Sequence, residues 1–271
     1  KENKLNLNGI VNRSRAIAKK LSNGIEYLFK KNNIQLIYGT AKIMKNKELL
    51  ITKNDMEEKL TATNIIIATG AGPKKIKVSG NYEKLGLWDY FDAMTPSHIP
   101  KSLGIIGSGA IGIEFANFYN SLGSKVTVFE MANEILPNED FEVSEFLRKN
   151  LIKKGVQFHL NSSVTDIKKK DGLELSYKDV NTKKISNYNF EKILVAVGIE
   201  GNIKNLGLEH TSIKTKSNQI VTYEHGKTDE KNIFAIGDVA GAPWLAHKAS
   251  HEGIHCVEYL AGLINNSTKE K

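Results

Sequence analysis

Apolar residues recur along the chain with two periods, and these periods predict alternating helices and strands. Residues 10–31 place apolar side chains at steps of four, four and three, with lysine and asparagine between them, as on one face of an amphipathic helix. These side chains are Ile17, Leu21, Ile25 and Leu28. Continuous apolar runs at 65–68 and 193–197 are each followed closely by a glycine and are typical of strands buried on both faces of a parallel sheet.

Lysine-rich segments with shorter apolar stretches predict antiparallel strands beside those runs. Residues 41–63 and 163–190 each indicate a small meander, and the Asp-Gly pair at 171–172 suits the turn of a hairpin. A short strand is also predicted at Ile34–Tyr38. Residues 71–101 contain three of the five prolines, so we interpret them as a connector.

A second unit is predicted around a glycine-rich turn. The strand Leu103–Ile106 enters this turn, a helix over 111–122 leaves it, and Lys125–Phe129 forms the next strand. Asn138 is expected to cap a further helix over 139–154. The side chains of that helix expected to face inward are Phe146, Leu147 and Leu151.

The order of the elements contains a weak internal repeat. Both halves pass through a meander into an apolar strand that stops at glycine, with IIIATG at 65–70 and ILVAVG at 193–198. In the second half a glycine-rich turn precedes this strand. The same spacing in the first half would place the corresponding turn before Lys1. The sequence is therefore expected to be incomplete.

Composition narrows the class of protein. The 271 residues include 38 Lys+Arg and 30 Asp+Glu, a net charge of +8, but nearly all basic residues are lysine. Nucleic-acid binders typically use arginine and stacking aromatic side chains, so we favour a lysine-solvated surface. No apolar run approaches the roughly 20 residues that a membrane helix needs. Cys256 is the single cysteine, which excludes an intrachain disulfide.

The strongest chemical signal is the run GSGAIG at 107–112, between a predicted strand and a predicted helix. Gly107 allows a tight turn, Gly109 lets backbone N–H groups approach a pyrophosphate, and Gly112 lets helix and strand pack closely. The positive end of the helix dipole favours the diphosphate. The alternative is a glycine-rich turn that holds no ligand.

Glu130 stands at the end of the next strand, 18 residues after Gly112. A carboxylate at this place accepts hydrogen bonds from the ribose hydroxyls of adenosine and repels a 2′-phosphate. Residues 131–133 contain no arginine, so NAD is favoured over NADP. Glu114, on the helix after the turn, is either a solvated acid or lies near a nicotinamide.

A second signal is the apolar strand that ends in Gly237-Asp238. It places a carboxylate at the carboxyl edge of a sheet, where ligands of α/β folds bind. Asp238 is therefore predicted to hold a ribityl hydroxyl of a flavin, with a helix N-cap as the alternative.

Other titratable residues are given structural interpretations. Histidines 247, 251 and 255 share a helical face, but no acid or cysteine arrangement supports a metal site there. The spacing of His225 and Glu230 resembles an acid–base pair and is interpreted as a coincidence. Cys256 is expected to be buried in a helix.

Together, these segments resemble the flavoprotein disulfide reductases, which contain two dinucleotide-binding folds. The resemblance rests on IIIATGAG, GSGAIGIE, VFE, VAVGIEGN and KNIFAIGDVAGAPWLAHKASHEG, and it covers essentially the whole chain. It implies an α/β fold with two Rossmann-like FAD/NAD(P)-binding domains, each a parallel sheet with a three-stranded antiparallel meander. Residues 1–97 and 217–271 would form an incomplete FAD-binding domain, and residues 98–216 the NAD-binding domain.

The resemblance also implies which residues contact each cofactor, and it assigns no metal. The expected FAD contacts are Gly39, Thr40, Thr69, Gly70, Ala71, Asp238, Trp244, Leu245, Ala246 and His247. The expected NAD contacts are Gly107, Ser108, Gly109, Ala110, Ile111, Gly112, Ile113, Glu114, Glu130, Val164 and Gly198. Glu114 would lie near the contact between nicotinamide and flavin.

Within the family, the branch that oxidises dihydrolipoamide matches best. The implied reaction passes electrons from dihydrolipoamide through a redox disulfide and FAD to NAD, giving lipoamide and NADH. The implied partners are a lipoamide-bearing subunit of a 2-oxo acid dehydrogenase complex and a second copy in a homodimer, with no nucleic acid or membrane. A bacterial cytoplasm is expected, with the mitochondrial matrix as the alternative.

Two segments of the family are not among these residues. One carries the FAD glycine turn and a cysteine pair, and the other is a dimerisation domain with a His–Glu pair. No catalytic residue is therefore assigned, and the chain is expected to bind NADH weakly, to retain little FAD and to lack lipoamide activity. The alternatives are a non-catalytic NAD-binding module or a related flavoprotein, namely an NADH oxidase, a transhydrogenase or a mercuric reductase.

Overall fold

The computed structural model describes residues 5–78 and 82–264. Its helices are α1 (Leu7–Lys31), α2 (Tyr82–Leu85), α3 (Tyr90–Met94), α4 (Ala110–Ser121), α5 (Phe141–Lys153) and α6 (Ala246–Leu260). Its first strands are β1 (Thr40–Ile43), β2 (Leu49–Lys53), β3 (Met56–Leu60), β4 (Ile65–Ile67), β5 (Ala71–Pro73), β6 (Ser102–Ile106), β7 (Lys125–Phe129) and β8 (Gln157–His159). The later strands are β9 (Ser162–Lys170), β10 (Gly172–Asp179), β11 (Ile185–Phe190), β12 (Lys192–Val195), β13 (Ile199–Gly201), β14 (Thr215–Lys216), β15 (Gln219–Ile220) and β16 (Ile233–Ala235).

The chain forms two compact units, and each is discontinuous in sequence. The first contains residues 1–28 and 73–198, and the second contains residues 29–72 and 199–271. The sequence places the boundaries after residues 97 and 216 instead. The assignment of one cofactor to each unit stays a prediction.

The first unit is built on a parallel sheet with the strand order β12-β6-β7-β8. An antiparallel meander, in the order β11-β10-β9, follows β8 in the chain. The mixed α/β class and the second predicted meander are therefore confirmed. Gly172 adopts φ +126 in the turn between β9 and β10, where the sequence predicts a hairpin.

Both faces of this parallel sheet are covered, which explains the uninterrupted apolar runs. Alternate residues such as Ile105 and Val128 pack in one core with Ile113, Tyr119 and other residues from α4 and α5. Their neighbours in sequence, including Phe129, pack in a second core with side chains of the meander. Because neither face of the central strands meets water, β6, β7 and β12 carry apolar residues on both faces.

Helix α5 differs from its prediction at both its cap and its buried face. Asp140, not Asn138, is the N-cap, and its carboxylate accepts hydrogen bonds from the N–H groups of Glu142 and Val143. Leu151 is buried as predicted, but Phe146 is 71% exposed. The helix therefore starts two residues later than the predicted cap implies.

The second unit contains the meander β1-β2-β3 and a parallel pair formed by β16 and β4. Isoleucines of β1, β4 and β16 share a core with Val239 and Ile220. The first predicted meander and the strand at 65–68 are confirmed. The predicted strand Ile34–Tyr38 is wrong, because this segment is irregular and its residues are exposed.

Helix α1 confirms the first periodic prediction and starts slightly earlier, at Leu7. None of its residues is buried, and the apolar side chains that define its period remain open to solvent. Leu21, for example, is 67% exposed. The periodicity therefore predicts the helix but not a buried face within this chain.

Gly112→Ala is expected to lower the free energy of unfolding by about 1–3 kcal/mol, because the added Cβ would lie 2.1 Å from the Gly107 carbonyl oxygen. Gly109→Ala is the matched control, since its Cβ would meet no atom within 4 Å. We expect the control to lower stability by less than about 1 kcal/mol, because alanine is a poorer N-cap than glycine but meets no clash at this position. Urea unfolding followed by circular dichroism measures both, and equal losses would refute the close-packing argument.

Candidate functional site

The turn between β6 and α4 brings the glycine-rich motif to the carboxyl edge of the parallel sheet. Gly107 adopts φ +99 and its N–H donates to the Phe129 carbonyl at 2.8 Å. A Cβ on Gly107 would lie 2.4 Å from the Ala196 carbonyl oxygen. The glycines at the two ends of the motif, 107 and 112, are therefore required because a Cβ at either position would collide with a backbone carbonyl oxygen.

The amino end of α4 is open above this turn. Gly109 is the N-cap and lacks a side chain that could satisfy the first N–H groups of the helix. The Ile113 N–H donates to the Gly109 carbonyl at 3.0 Å and begins the hydrogen-bond ladder of the helix. The N–H groups of Ala110, Ile111 and Gly112 have no acceptor in the described part of the chain. They form a set of donors at the positive end of a helix, which suits a diphosphate.

Glu130 lies immediately after β7 at the same edge. Its Oε2 accepts hydrogen bonds from the Ser108 N–H at 2.8 Å and the Ser108 hydroxyl at 2.7 Å. Its Oε1 accepts one from the Ala132 N–H at 2.9 Å. The structure thus brings the predicted carboxylate against the predicted glycine turn. The hydrogen bonds to Ser108 were not anticipated, because 22 residues separate the partners.

Three other predicted NAD contacts lie on different elements of this unit. Glu114 is exposed on α4 and borders a cleft of about 360 Å³, with Phe115 and Phe118 among its other lining residues. Val164, on β9, is half-buried against the meander core. Gly198 is exposed just after β12, with φ +104. Their roles in binding stay predictions.

The second unit repeats the strand-end arrangement with Asp238. Gly237 adopts φ +72, and its N–H donates to Oε2 of Glu252 on α6 at 2.7 Å. The Asp238 side chain is half-buried, and its carboxylate has no hydrogen-bond partner among the described residues. It is therefore available to a ligand and does not cap a helix through its side chain. Glu252 had no sequence signal that pointed to this contact.

The predicted flavin-side residues at the start of α6 are all exposed. Trp244 is 38% exposed and Leu245 is 45% exposed, and Leu245 is the N-cap of the helix without a side-chain hydrogen bond. Ala246 and His247 form its exposed first turn. The amino end of α6 is therefore uncovered in the same way as that of α4.

Thr69, Gly70 and Ala71 lie where the chain leaves β4. The Thr69 hydroxyl donates to the Asn202 carbonyl at 2.9 Å, and the Asn202 side-chain amide donates back to the Thr69 carbonyl at 3.0 Å. The Asn202 N–H donates to the Gly70 carbonyl at 2.9 Å. Ala71 begins β5, which pairs with β13. No local pattern in the sequence marks Asn202 as the partner of this segment.

Gly39 and Thr40 lie at the start of the first meander. A Cβ on Gly39 would lie 2.9 Å from the Thr52 carbonyl oxygen, so a glycine is needed for this approach. Thr40 is exposed and pairs with Thr52 in the antiparallel ladder. These positions leave the backbone at the strand end accessible, as a contact to an adenine would require.

His225 and Glu230 do not form a pair with each other, which agrees with the interpretation of their spacing as a coincidence. The His225 ring stacks on Tyr259 at 5.0 Å between ring centroids. Glu230 accepts hydrogen bonds from the N–H and hydroxyl of Ser212 and an ion pair from Lys47. The contacts of both residues lie within the second unit, where they join separate segments of the chain.

The remaining titratable residues of α6 provide no metal centre. In the described ranges, no group of three or more His, Cys, Asp or Glu side chains is arranged to hold a metal ion. Cys256 is fully buried as predicted, and burial raises the pKa of its thiol. No described helix has the length and apolar character needed to cross a bilayer.

The sequence matches a known family over nearly its whole length. Residues 2–253 fit the sequence profile described as pyridine nucleotide-disulphide oxidoreductase. This chain belongs to the pyridine nucleotide-disulphide oxidoreductase family. The resemblance inferred from the sequence motifs is therefore confirmed.

Curated relatives in several bacteria are named dihydrolipoyl dehydrogenase. Dihydrolipoyl dehydrogenase of Rhizobium etli is 42% identical over 277 aligned positions, which cover 97% of this chain and 57% of the relative. Dihydrolipoyl dehydrogenase of Acholeplasma laidlawii is 34% identical, with 93% of this chain and 72% of the relative covered. The chain spans slightly more than half the length of the Rhizobium relative.

Solved structures share the fold of this chain over most of its length. A copper(II) complex of a variant of the HOCl-induced flavoprotein disulfide reductase RclA from Escherichia coli has a TM-score of 0.85 and 25% identity, covering 93% of this chain and 56% of that one. LpdA from Mycobacterium tuberculosis also has a TM-score of 0.85, at 23% identity, covering 96% of this chain and 57% of that one. The second likeness concerns the fold alone.

Glu230→Gln is expected to reduce the loss in the free energy of unfolding as the pH falls. The Ser212 N–H, the Lys47 ammonium and the Ser212 hydroxyl lower the Glu230 pKa from 4.5 to about 2. A lowered folded-state pKa contributes stability above pH 4.5 that is lost as the pH falls towards 2. We expect the wild type to lose about 1–2 kcal/mol more than the variant over that interval, after allowance for solvent screening.

Urea unfolding between pH 5 and pH 2 measures this difference. Glu139→Gln is the control, because no hydrogen bond or ion pair of the Glu139 carboxylate is present among the described residues. Parallel profiles of wild type and Glu230→Gln would contradict the expected role of Glu230.

Proposed function

We propose that this chain is the nucleotide-binding part of a flavoprotein oxidoreductase that passes electrons from dihydrolipoamide through FAD to NAD, giving lipoamide and NADH. The observation that carries the proposal is the joint placement of the open α4 amino end and the Glu130 carboxylate at one edge of the parallel sheet. Dihydrolipoyl dehydrogenase is the name of the relatives with 34–42% identity, which supports the substrate assignment.

The first unit fits NAD. The N–H groups at 110–112 would bind the pyrophosphate, and the open space over Gly109 lets the diphosphate approach the backbone. Glu130 would accept a hydrogen bond from the adenosine ribose, and its negative charge disfavours a 2′-phosphate. Bound NAD would supply the hydride-accepting ring, while the chain binds and orients it.

The second unit has groups that fit FAD at the carboxyl ends of β4 and β16. The half-buried Asp238 carboxylate has no protein partner in the described ranges, and a ribityl hydroxyl would satisfy it. The exposed start of α6 at 244–247 would face the electron-rich part of the flavin. The family and its relatives use both FAD and NAD, which supports the assignment of one cofactor to each unit.

The redox disulfide of this reaction does not lie within the 271 residues. Cys256 is the single cysteine, and it is buried. The residues described here would therefore bind and orient nucleotides, and the exchange with lipoamide requires a cysteine pair from elsewhere. A lipoamide-bearing subunit of a 2-oxo acid dehydrogenase complex, a homodimeric assembly and a cytoplasmic location belong to the same proposal, supported by the bacterial relatives.

Glu130→Ala is expected to weaken NADH binding by about 1–3 kcal/mol through loss of a hydrogen bond to a charged acceptor. Gly109→Ala is expected to weaken binding to a similar or greater extent, since its methyl group would fill the open space through which the diphosphate approaches. NADH fluorescence titration of the purified chain measures both. Glu139→Ala is the control on the neighbouring loop, and unchanged affinity in both site variants would remove this edge from the binding site.

The purified chain is expected to show no NADH-dependent reduction of lipoamide, because one buried cysteine cannot form an intrachain disulfide. A coupled spectrophotometric assay with excess FAD measures the rate, and NADH titration of the same sample shows whether the nucleotide site is intact. A lipoamide-dependent rate abolished by Asp238→Ala would show that the chain catalyses the reaction without a disulfide of its own.

A further inference from the structure

The side chain of Ser108 is polar and fully buried at the second position of the glycine-rich turn, with 0% exposure. Its hydroxyl donates to Oε2 of Glu130 at 2.7 Å, and its N–H donates to the same oxygen at 2.8 Å. The Ser108 carbonyl accepts a hydrogen bond from the Leu136 N–H at 3.0 Å. All the polar groups of this residue are thus engaged in fixing the turn against Glu130 and its loop.

The backbone of Glu130 is fixed as firmly as its side chain. Its N–H donates to the His159 carbonyl at 2.9 Å, and its carbonyl accepts from the Ser162 N–H at 2.7 Å. Because both backbone groups are held by β8 and the first residue of β9, the carboxylate can change position only by rotation of its own side chain. Ser108 and Ala132 are the residues that oppose this rotation.

The three hydrogen bonds to the Glu130 carboxylate are shared unequally between its two oxygens. A carboxylate offers about four acceptor positions, two on each oxygen. Oε2 uses both of its positions on Ser108, whereas Oε1 uses one on the Ala132 N–H. One acceptor position therefore remains, on Oε1.

We propose that Ser108 is a positioning residue that sets the choice between NAD and NADP by holding the Glu130 carboxylate in one orientation. The carboxylate then offers a single acceptor position to one ribose hydroxyl and cannot turn away from a 2′-phosphate. This inference rests on the proposed function of the site as a NAD site.

The Ser108 hydroxyl is one of only three donors that hold the Glu130 carboxylate among the described residues, so its removal weakens this hold. In Ser108→Ala the carboxylate keeps the two backbone N–H contacts, but Oε2 gains an unsatisfied position and the side chain gains freedom to rotate. A mobile carboxylate binds a ribose hydroxyl less tightly, because its orientation must be fixed on binding. It also retreats from a 2′-phosphate, so the penalty against NADPH falls more than the affinity for NADH.

The experiment is a double-mutant cycle on the purified chain with Ser108→Ala, Glu130→Ala and the double variant, each titrated with NADH and with NADPH. We expect Ser108→Ala to raise the dissociation constant for NADH by about 3–10-fold, the loss of one modest hydrogen bond. The ratio of the NADPH constant to the NADH constant should fall by at least about 3-fold. In the Glu130→Ala background, Ser108→Ala should change either constant by less than about 2-fold, because Ser108 acts through Glu130.

Ser124→Ala is the matched control for removal of a buried serine hydroxyl. Ser124 is 4% exposed, and its hydroxyl donates to the Pro100 carbonyl at 2.6 Å in the same unit, away from Glu130. It should leave the ratio of the two constants unchanged. Thermal melting checks that each variant folds. If Ser108→Ala does not fold, Ser108→Cys, which keeps a weak donor at the same position, is measured in its place.

Three results would overturn the inference. Ser108→Ala could leave both constants unchanged, it could weaken NADH and NADPH equally, or its effect could persist in full when Glu130 is alanine. Each would show that the hydroxyl does not act by orienting the carboxylate. If the wild-type chain binds no NADH, the proposed function itself fails; if Glu130→Ala weakens binding while Ser108→Ala does not, only the role of Ser108 fails.

Discussion

The close approach of α4 to the sheet is the constraint on which the proposed nucleotide site depends. A single Cβ at Gly112 would lie 2.1 Å from the Gly107 carbonyl oxygen, so the helix can start directly against β6 only without side chains at these positions. Among the residues that the structure describes, the N–H groups of 110–112 have no protein acceptor, and they lie at the end of the helix where partial positive charge accumulates. The glycine-rich turn therefore both permits the close packing of α4 on the sheet and leaves the amino end of the helix open to an anion.

The parallel sheet provides the second half of the site. Its central strands are buried on both faces, and β7 is held in register with β6 from Ser102 opposite Lys125 to Ile106 opposite Phe129. Glu130 is the next residue after this pair, so the register of the two strands places its backbone beside the turn. The same placement recurs in the second unit, where Asp238 follows β16 and Gly237. In both units, a strand end brings a carboxylate to the edge at which nucleotides bind in this fold.

Much of this arrangement follows from local sequence. A helix over 10–31, both meanders, the buried strands and the turn at 107–112 were predicted because side-chain burial repeats with the period of the backbone. Local patterns failed where several residues could play the same part. Asn138 and Asp140 are both good caps, and in the structure it is the Asp140 carboxylate that accepts the hydrogen bonds of the first N–H groups of α5. Phe146 is apolar but points to solvent, since the core side of α5 is filled by Leu147 and Leu151.

The sequence by itself determined most of the element types, the family and the carboxylate at position 130. Only the tertiary structure decided which groups that carboxylate contacts, because Ser108 lies 22 residues away and meets it through the register of two strands. The Thr69 and Asn202 pair, 133 residues apart, depends in the same way on the return of the chain to the second unit. Periodicity encodes which face of an element is buried, but a hydrogen bond between distant residues requires both backbones to be placed to within a few tenths of an ångström. That placement is a property of the assembled core.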